Sequence, residues 1–270
     1  MKKLALLLSA LLLAASFAGC GETPSSSSSA AAGSTVASEE STTADDNTLM
    51  LATNAFFEPY EYYEGDEVVG IDAEVGKAIA DKLGMEFKIS DIDFDSIIPA
   101  IQSGKASMGM AGMTVTPERE ENVSFTRSYA TGIQVVIVPE DSTIASIDDL
   151  EGKKIGVQQG TTGDIYCSDS PEKGGYGEDA VTRYNKGSDA VMALLSGKVD
   201  CVVIDNEPAK AFVAANEGLK ILDTEYANED YAIAIAKDNT ELLEKVDKAL
   251  AELIEDGTVQ KIVDKYITSD

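Results

Sequence analysis

The sequence predicts an α/β fold of two lobes, each a mostly parallel sheet flanked by helices. Three observations carry this reading. From residue 48 onward, short apolar runs of strand length alternate with amphipathic runs of helix length, the pattern of parallel sheets with crossover helices. The segment Ala100-Ile-Gln-Ser-Gly-Lys-Ala-Ser107 is echoed by Ala193-Leu-Leu-Ser-Gly-Lys-Val-Asp200, each reading as a helix end, a glycine cap and a strand start, so the unit occurs twice. A chain of 270 residues accommodates two domains of about 100–150 residues each. Ligands bind beyond the carboxyl ends of parallel strands. That rule directs attention to the loop at residues 112–119 and to Asp205.

The first fifty residues stand outside both lobes. A basic Met1-Lys-Lys start, an apolar run over residues 4–17 and the small residues Ala18-Gly19-Cys20 resemble a bacterial lipoprotein signal, although Phe17 stands where that signal prefers leucine. The resemblance implies a signal peptide over residues 1–20, lipidation at Cys20 and anchoring on the outer face of the cytoplasmic membrane. Residues 21–47, rich in Ser, Thr, Ala, Glu and Asp, have almost nothing to bury and read as a disordered tether.

The folded part opens with an apolar strand over 49–53 and a polar-aromatic run from Asn54 to Tyr60. Residues 62–69 read as a hairpin turning at Gly65-Asp66. Residues 72–83 form an amphipathic helix with Val75, Ala78, Ile79 and Leu83 on one stripe and Gly84 at the C′ position. A strand over 86–89, a helix over 96–103 and a buried strand over 108–111 follow. Thr116 is a natural N-cap and Pro117 suits the first helical position. Arg119 then stands among Glu118, Glu120 and Glu121 at the positive end of a helix, where a cation is out of place. Beside Gly112, whose backbone N–H is open to close approach, it reads either as a carboxylate site or as an exposed arginine paired with its neighbours.

In the second half, strands are predicted over 133–138, 155–157, 181–184, 199–204 and 231–236, with residues 128–132 as a crossing point. Helices are predicted over 188–195, 206–216, 239–256 and 259–266. The turn Gln158-Gln-Gly-Thr-Thr-Gly163 opens another helix. It lacks the Gly-Lys-Thr end of a P-loop, which argues against nucleotide.

The net charge of −27, from 48 acidic against 21 basic residues, argues against nucleic acid or an anionic membrane surface as partner. The absence of histidine removes Ser-His-Asp and Cys-His catalysis and most zinc sites. No metal or cofactor is expected. Cys167 and Cys201 lack metal-ligand spacing, and in an exported protein they are candidates for a disulfide.

Gly70-Ile-Asp72, the run from Ala100 to Lys105, Gly112-Met-Thr-Val-Thr-Pro-Glu-Arg119, Gly160-Thr-Thr162, Gly197-Lys-Val-Asp200 and Asp205 stand in order along the chain. In this the chain resembles the extracellular solute-binding proteins of the polar amino-acid type that feed ABC importers, over about residues 48–268. The resemblance implies a type II periplasmic-binding-protein fold with two hinge strands. Lobe 1 would be residues 48–130 plus 232–270, and lobe 2 residues 131–231. It implies a monomer that binds a free amino acid and docks on permease subunits, with the lipid on Cys20 as its only tie to the membrane.

By the same match Arg119 clamps the ligand carboxylate, helped by Thr114 and the backbone at Gly112, a task suited to a bidentate guanidinium. Asp205 takes the ammonium or caps the following helix. Phe57 and Phe94 stack on the ligand side chain or fill core. Thr161 and Thr162 contact the carboxylate from lobe 2, and Asn54 and Gln158 read the side chain. Those two amides carry no charge, so the expected ligand has a polar, neutral side chain, with Glu58 or Asp93 as the nearby acids that would change this. Two other classes share the fold, exported dehydratases and sensory ectodomains. The matched positions offer a dehydratase no titrating acid besides Asp205, and no membrane span follows residue 20 to serve a sensor.

Overall fold

The computed structural model describes residues 47–223 and 225–267. The signal, Cys20 and almost all of the tether lie outside them. The chain enters on β1 (Thr48–Thr53), whose Leu49, Leu51 and Ala52 are fully buried. A small antiparallel sheet of β2 (Phe56–Phe57), β3 (Glu61–Glu64) and β4 (Glu67–Val69) realises the expected hairpin. Gly70 ends it at φ 121°, where a Cβ would lie 2.3 Å from the Tyr60 carbonyl oxygen. Only glycine lets the hairpin press so closely on α1 (Ile71–Leu83). There the Asp72 N–H donates to the Tyr60 carbonyl at 2.8 Å, which fixes residue 61 beside the helix start.

β5 (Glu86–Asp91) pairs in parallel with β1, and α2 (Ile97–Gln102) leads to β6 (Met108–Gly109) on the other side of β1. The strand expected over 108–111 stops after two residues, because the chain turns at Gly112 and bridges Tyr231 through Thr114. The start of α3 (Pro117–Glu120) is as predicted, with the Thr116 hydroxyl accepting the Arg119 N–H at 3.2 Å and Pro117 in the first turn. β7 (Val123–Pro139) is one long strand through the expected crossing point.

The second half repeats the alternation with β8 (Ile155–Gln158), α4 (Thr162–Ser168), β9 (Val181–Tyr184), α5 (Gly187–Leu195), β10 (Cys201–Asp205) and α6 (Asn206–Ala215). β10 is buried along its full length, as a strand covered on both faces must be. The chain returns through β11 (Leu219–Ile221), which the sequence reading missed, and β12 (Ala227–Ala236). It closes with α7 (Thr240–Glu255) and α8 (Thr258–Tyr266). Both pack on α1, and Asp247 of α7 accepts the backbone N–H and two guanidinium N–H groups of Arg127 on β7.

The strand order β5-β1-β6-β12-β7-β10-β8-β9 explains the two lobes. The first half joins the carboxyl end of β12, where Ala234 faces Gly109. The second joins the carboxyl end of β7, where residues 134–137 face 202–205. Between these junctions, residues 128–133 of β7 pair with β12 alone, so a two-strand ribbon is the hinge. Each lobe has a cluster of its own, one around Ile97, Ile101 and Met113 and one around Val136, Val157 and Val203.

Cys167 and Cys201 both lie in the second of these clusters, buried, and both are free thiols. The candidate disulfide is therefore absent. Burial holds both thiols in the neutral form, pushing each pKa up to about 12, so they serve as small apolar core residues.

Candidate functional site

A narrow cavity lies where the carboxyl ends of the strands from both lobes meet. The lobes close on it so far that its space, about 10 Å³, has room for about one water, so an amino acid enters only when they part. All ten residues expected at the site line it. From the first lobe come Asn54, Phe57, Phe94, Gly112, Thr114 and Arg119; from the second come Gln158, Thr161, Thr162 and Asp205. Two residues were not anticipated, Ala111 and Glu61.

Arg119 is a buried arginine, 6% exposed, and not a surface partner of its glutamate neighbours. Its guanidinium lies 5.2 Å from the centre of the Phe94 ring, a cation–π contact. Nη1 donates to the Thr114 carbonyl at 2.7 Å, and Nη2 donates across the crevice to the Gly160 carbonyl at 3.1 Å. Burial lowers its pKa, while the nearby Glu229 and Asp205 carboxylates favour its charge. Its remaining N–H groups leave a planar fork beside the cavity.

Gly112 has a different task from the one expected. Its N–H does not face the cavity but donates to Asp72 Oδ2 at 2.9 Å. Its positive φ of 52° and missing Cβ serve packing, since a Cβ would lie 2.8 Å from the Phe57 ring. Thr114 is likewise engaged, its hydroxyl donating to Glu229 Oε2 at 2.9 Å.

Asp205 is 6% exposed and makes no side-chain cap to α6. Its carboxylate accepts the Tyr231 hydroxyl, which also lies against Gly132 of the hinge. Burial first, and the Glu229 carboxylate second, raise the Asp205 pKa above the usual carboxylate range. A Cβ on Gly132 would sit 1.8 Å from the Tyr231 oxygen. Gly132→Ala is therefore expected to push Tyr231 off Asp205 and cost about 1–3 kcal/mol of stability by overpacking. A denaturant titration measures the loss. An unchanged midpoint would show that the hinge has room the packing does not suggest.

Asn54 and Gln158 bond to each other across the crevice, Gln158 Nε2 donating to Asn54 Oδ1 at 2.9 Å. Asn54 also donates to the Ile92 carbonyl at 2.8 Å. Their polar atoms are thus engaged in holding the lobes together, with Gln159 donating to Asp95 at 2.6 Å and Asn185 to Asp93 at 3.3 Å alongside. Thr161 caps α4 and donates to the Gln158 carbonyl at 2.8 Å.

Glu61 is the ionisable residue that the sequence reading missed. It is 1% exposed, and neither carboxylate oxygen has a hydrogen-bond donor. Its charged neighbours are acids, so burial first and Asp72 second push its pKa well above the usual glutamate range. Besides the amides Asn54 and Gln158, the cavity lining thus includes an acid from β3, at neither of the positions Glu58 and Asp93 named above.

Residues 49–269 match the model of the bacterial extracellular solute-binding proteins, family 3. The chain belongs to that family. It is 37% identical over 226 residues to the arginine-binding extracellular protein ArtP of Bacillus subtilis (strain 168), covering 82% of this chain and 87% of the relative. An ancestral arginine-binding protein bound to arginine superposes with a TM-score of 0.75 at 41% identity, covering 82% of this chain and 98% of that one. The same ancestral kind of protein bound to glutamine gives 0.76 at 40% identity, over 83% and 99%. The fold is the type II periplasmic-binding-protein fold, and the family is one of extracellular binding proteins rather than enzymes.

Proposed function

We propose that this protein captures a free amino acid with a basic side chain, arginine foremost, between its lobes and delivers it to an ABC importer. Lipidation at Cys20 would keep it, as a monomer, at the outer face of the membrane. Lobe 1 would comprise residues 48–130 plus 232–270 and lobe 2 residues 131–231, closing about the β7–β12 ribbon.

One observation carries the ligand class. Glu61 lines the cavity with a buried carboxylate that no donor reaches. A buried carboxyl group without a donor is costly in either form, and a cationic side chain supplies the donors and the charge it lacks. The ionisable groups lining the cavity are two acids and one base, Glu61, Asp205 and Arg119. A free dibasic amino acid carries two cations and one anion. On this reading Arg119 takes the α-carboxylate, Asp205 the α-ammonium and Glu61 the side-chain cation, with Phe57 and Phe94 flanking the apolar stem. Arginine is the ligand named for the Bacillus subtilis relative and for one of the two ancestral complexes, and glutamine for the other.

A thermal-shift panel of the twenty amino acids tests it, since a ligand stabilises the native state by RT ln(1 + [L]/Kd). Arginine is expected to give the largest shift. A larger shift from glutamine or another neutral amino acid would restore the neutral pocket.

A further inference from the structure

We propose that Glu61 and Asp72 share one proton across a buried carboxyl pair in the ligand-free protein, and that a cationic side chain entering the cavity expels it. Binding of arginine then releases a proton that binding of its neutral isostere citrulline does not.

The pair is built by the backbone. The Asp72 N–H bond to the Tyr60 carbonyl at 2.8 Å puts residue 61 against the first turn of α1, and both carboxyl groups are buried there, Glu61 1% and Asp72 0% exposed. Asp72 is fully buried and has two donors of its own, the Gly112 N–H at 2.9 Å and the Tyr129 hydroxyl at 2.7 Å. Glu61 has none. The charged groups acting on Glu61 are all acids: Asp72 from α1, Asp91 at the end of β5 and Asp205 at the end of β10. Tyr60 and Tyr129 are titratable but neutral, each pushed further up by burial. The cation that lines the cavity, Arg119, is bonded to the Thr114 and Gly160 carbonyls.

Two buried carboxyls in contact do not both ionise, so one proton stays with the pair. The better-solvated member keeps the charge. Asp72, with two donors, keeps the charge, and Glu61, with none, holds the proton and shares it with Asp72. A guanidinium at Glu61 supplies the missing donors and a positive charge. The Glu61 O–H bond then breaks, the proton passes to solvent, and a guanidinium–carboxylate pair replaces the Glu61–Asp72 hydrogen bond. The sign follows by linkage. A group protonated in the free protein and ionised in the complex makes affinity rise with pH, by about tenfold per pH unit for one proton released. The window opens at the Glu61 pKa in the complex and closes at its raised value in the free protein.

This inference rests on the assignment of Glu61 to the side-chain cation, and the test separates the two. Calorimetric titrations at pH 7 in two buffers of different ionisation enthalpy count the protons released. Arginine is expected to release about one proton more than citrulline. Any contribution of Asp205 cancels, because both ligands share the same ammonium. The infrared carbonyl band of a protonated carboxyl group gives a second readout that needs no second ligand. It is expected in the ligand-free wild type, lost on adding arginine, and weaker in ligand-free Glu61→Gln. Failure of arginine to bind would overturn the assignment of Glu61. Arginine binding with no excess proton, or a carboxyl band that arginine leaves in place, would overturn the shared proton alone.

Discussion

Arg119→Ala is expected to weaken amino-acid binding by about 2–5 kcal/mol, or about 30-fold to several-thousand-fold, while the protein stays folded. The range is that of truncating one partner of a buried charge pair. Arg119 meets that condition, since it is 6% exposed and its guanidinium is held between the Phe94 ring and the Thr114 and Gly160 carbonyls. The same side chain is one of the bonds across the crevice, so its loss also removes a contact that exists only in the closed form. Solution scattering is expected to show the wild type becoming more compact with arginine and the variant staying extended. Arg119→Lys does not rescue binding, because an ammonium replaces a planar fork with a point charge. Equal affinity in wild type and Arg119→Ala would mean that the ligand carboxylate sits elsewhere.

Glu61→Gln carries the second large effect, and it acts on selectivity. Arginine affinity falls by about 2–5 kcal/mol, since the guanidinium loses its only carboxylate partner on that side of the cavity. Glutamine affinity changes little, so the ratio between the two ligands drops by at least about 30-fold. The ligand-free protein moves the opposite way. A carboxyl group whose pKa is raised by folding contributes stability below its unfolded value and loses it as pH rises toward its folded value. With Glu61 raised by burial and by Asp72, the wild type therefore loses stability as pH climbs above about 4.5, and Glu61→Gln removes that loss. Thermal melts at pH 5 and pH 8 are expected to favour the variant more at pH 8. A variant equally or more destabilised at pH 8 would show that the Glu61 carboxylate is stabilised as the anion in the free protein.

What the sequence made legible was local chemistry repeated at regular spacing. Thr116 and Pro117 set the start of α3, Gly84 the end of α1, and the echoed Ser-Gly-Lys turns the two lobes. Because loops after parallel strands converge, the residues on them converge too, and ten matched positions line one cavity. The misses share a physical cause. Glu61 sits in the run Glu-Tyr-Tyr-Glu, whose alternation does not reveal which glutamate faces inward; only the packing of the hairpin on α1 decides it. Glu229 looks like surface charge beside Asp230, yet it is 5% exposed beneath Thr114 and Gln134. In the sequence the Gly112 amide reads as open to a ligand, because nothing local shows that Asp72, forty residues earlier, accepts it. The proposed ligand class rests on these long-range contacts and not on the motif.

A crystal structure of the complex with arginine tests the central claim most directly. The account predicts the α-carboxylate on the Arg119 guanidinium, the α-ammonium on Asp205 and the ligand guanidinium on Glu61, at charge-assisted distances of about 2.7–2.9 Å. A ligand seated with its guanidinium away from Glu61, or with its carboxylate bound by groups other than Arg119, would contradict it.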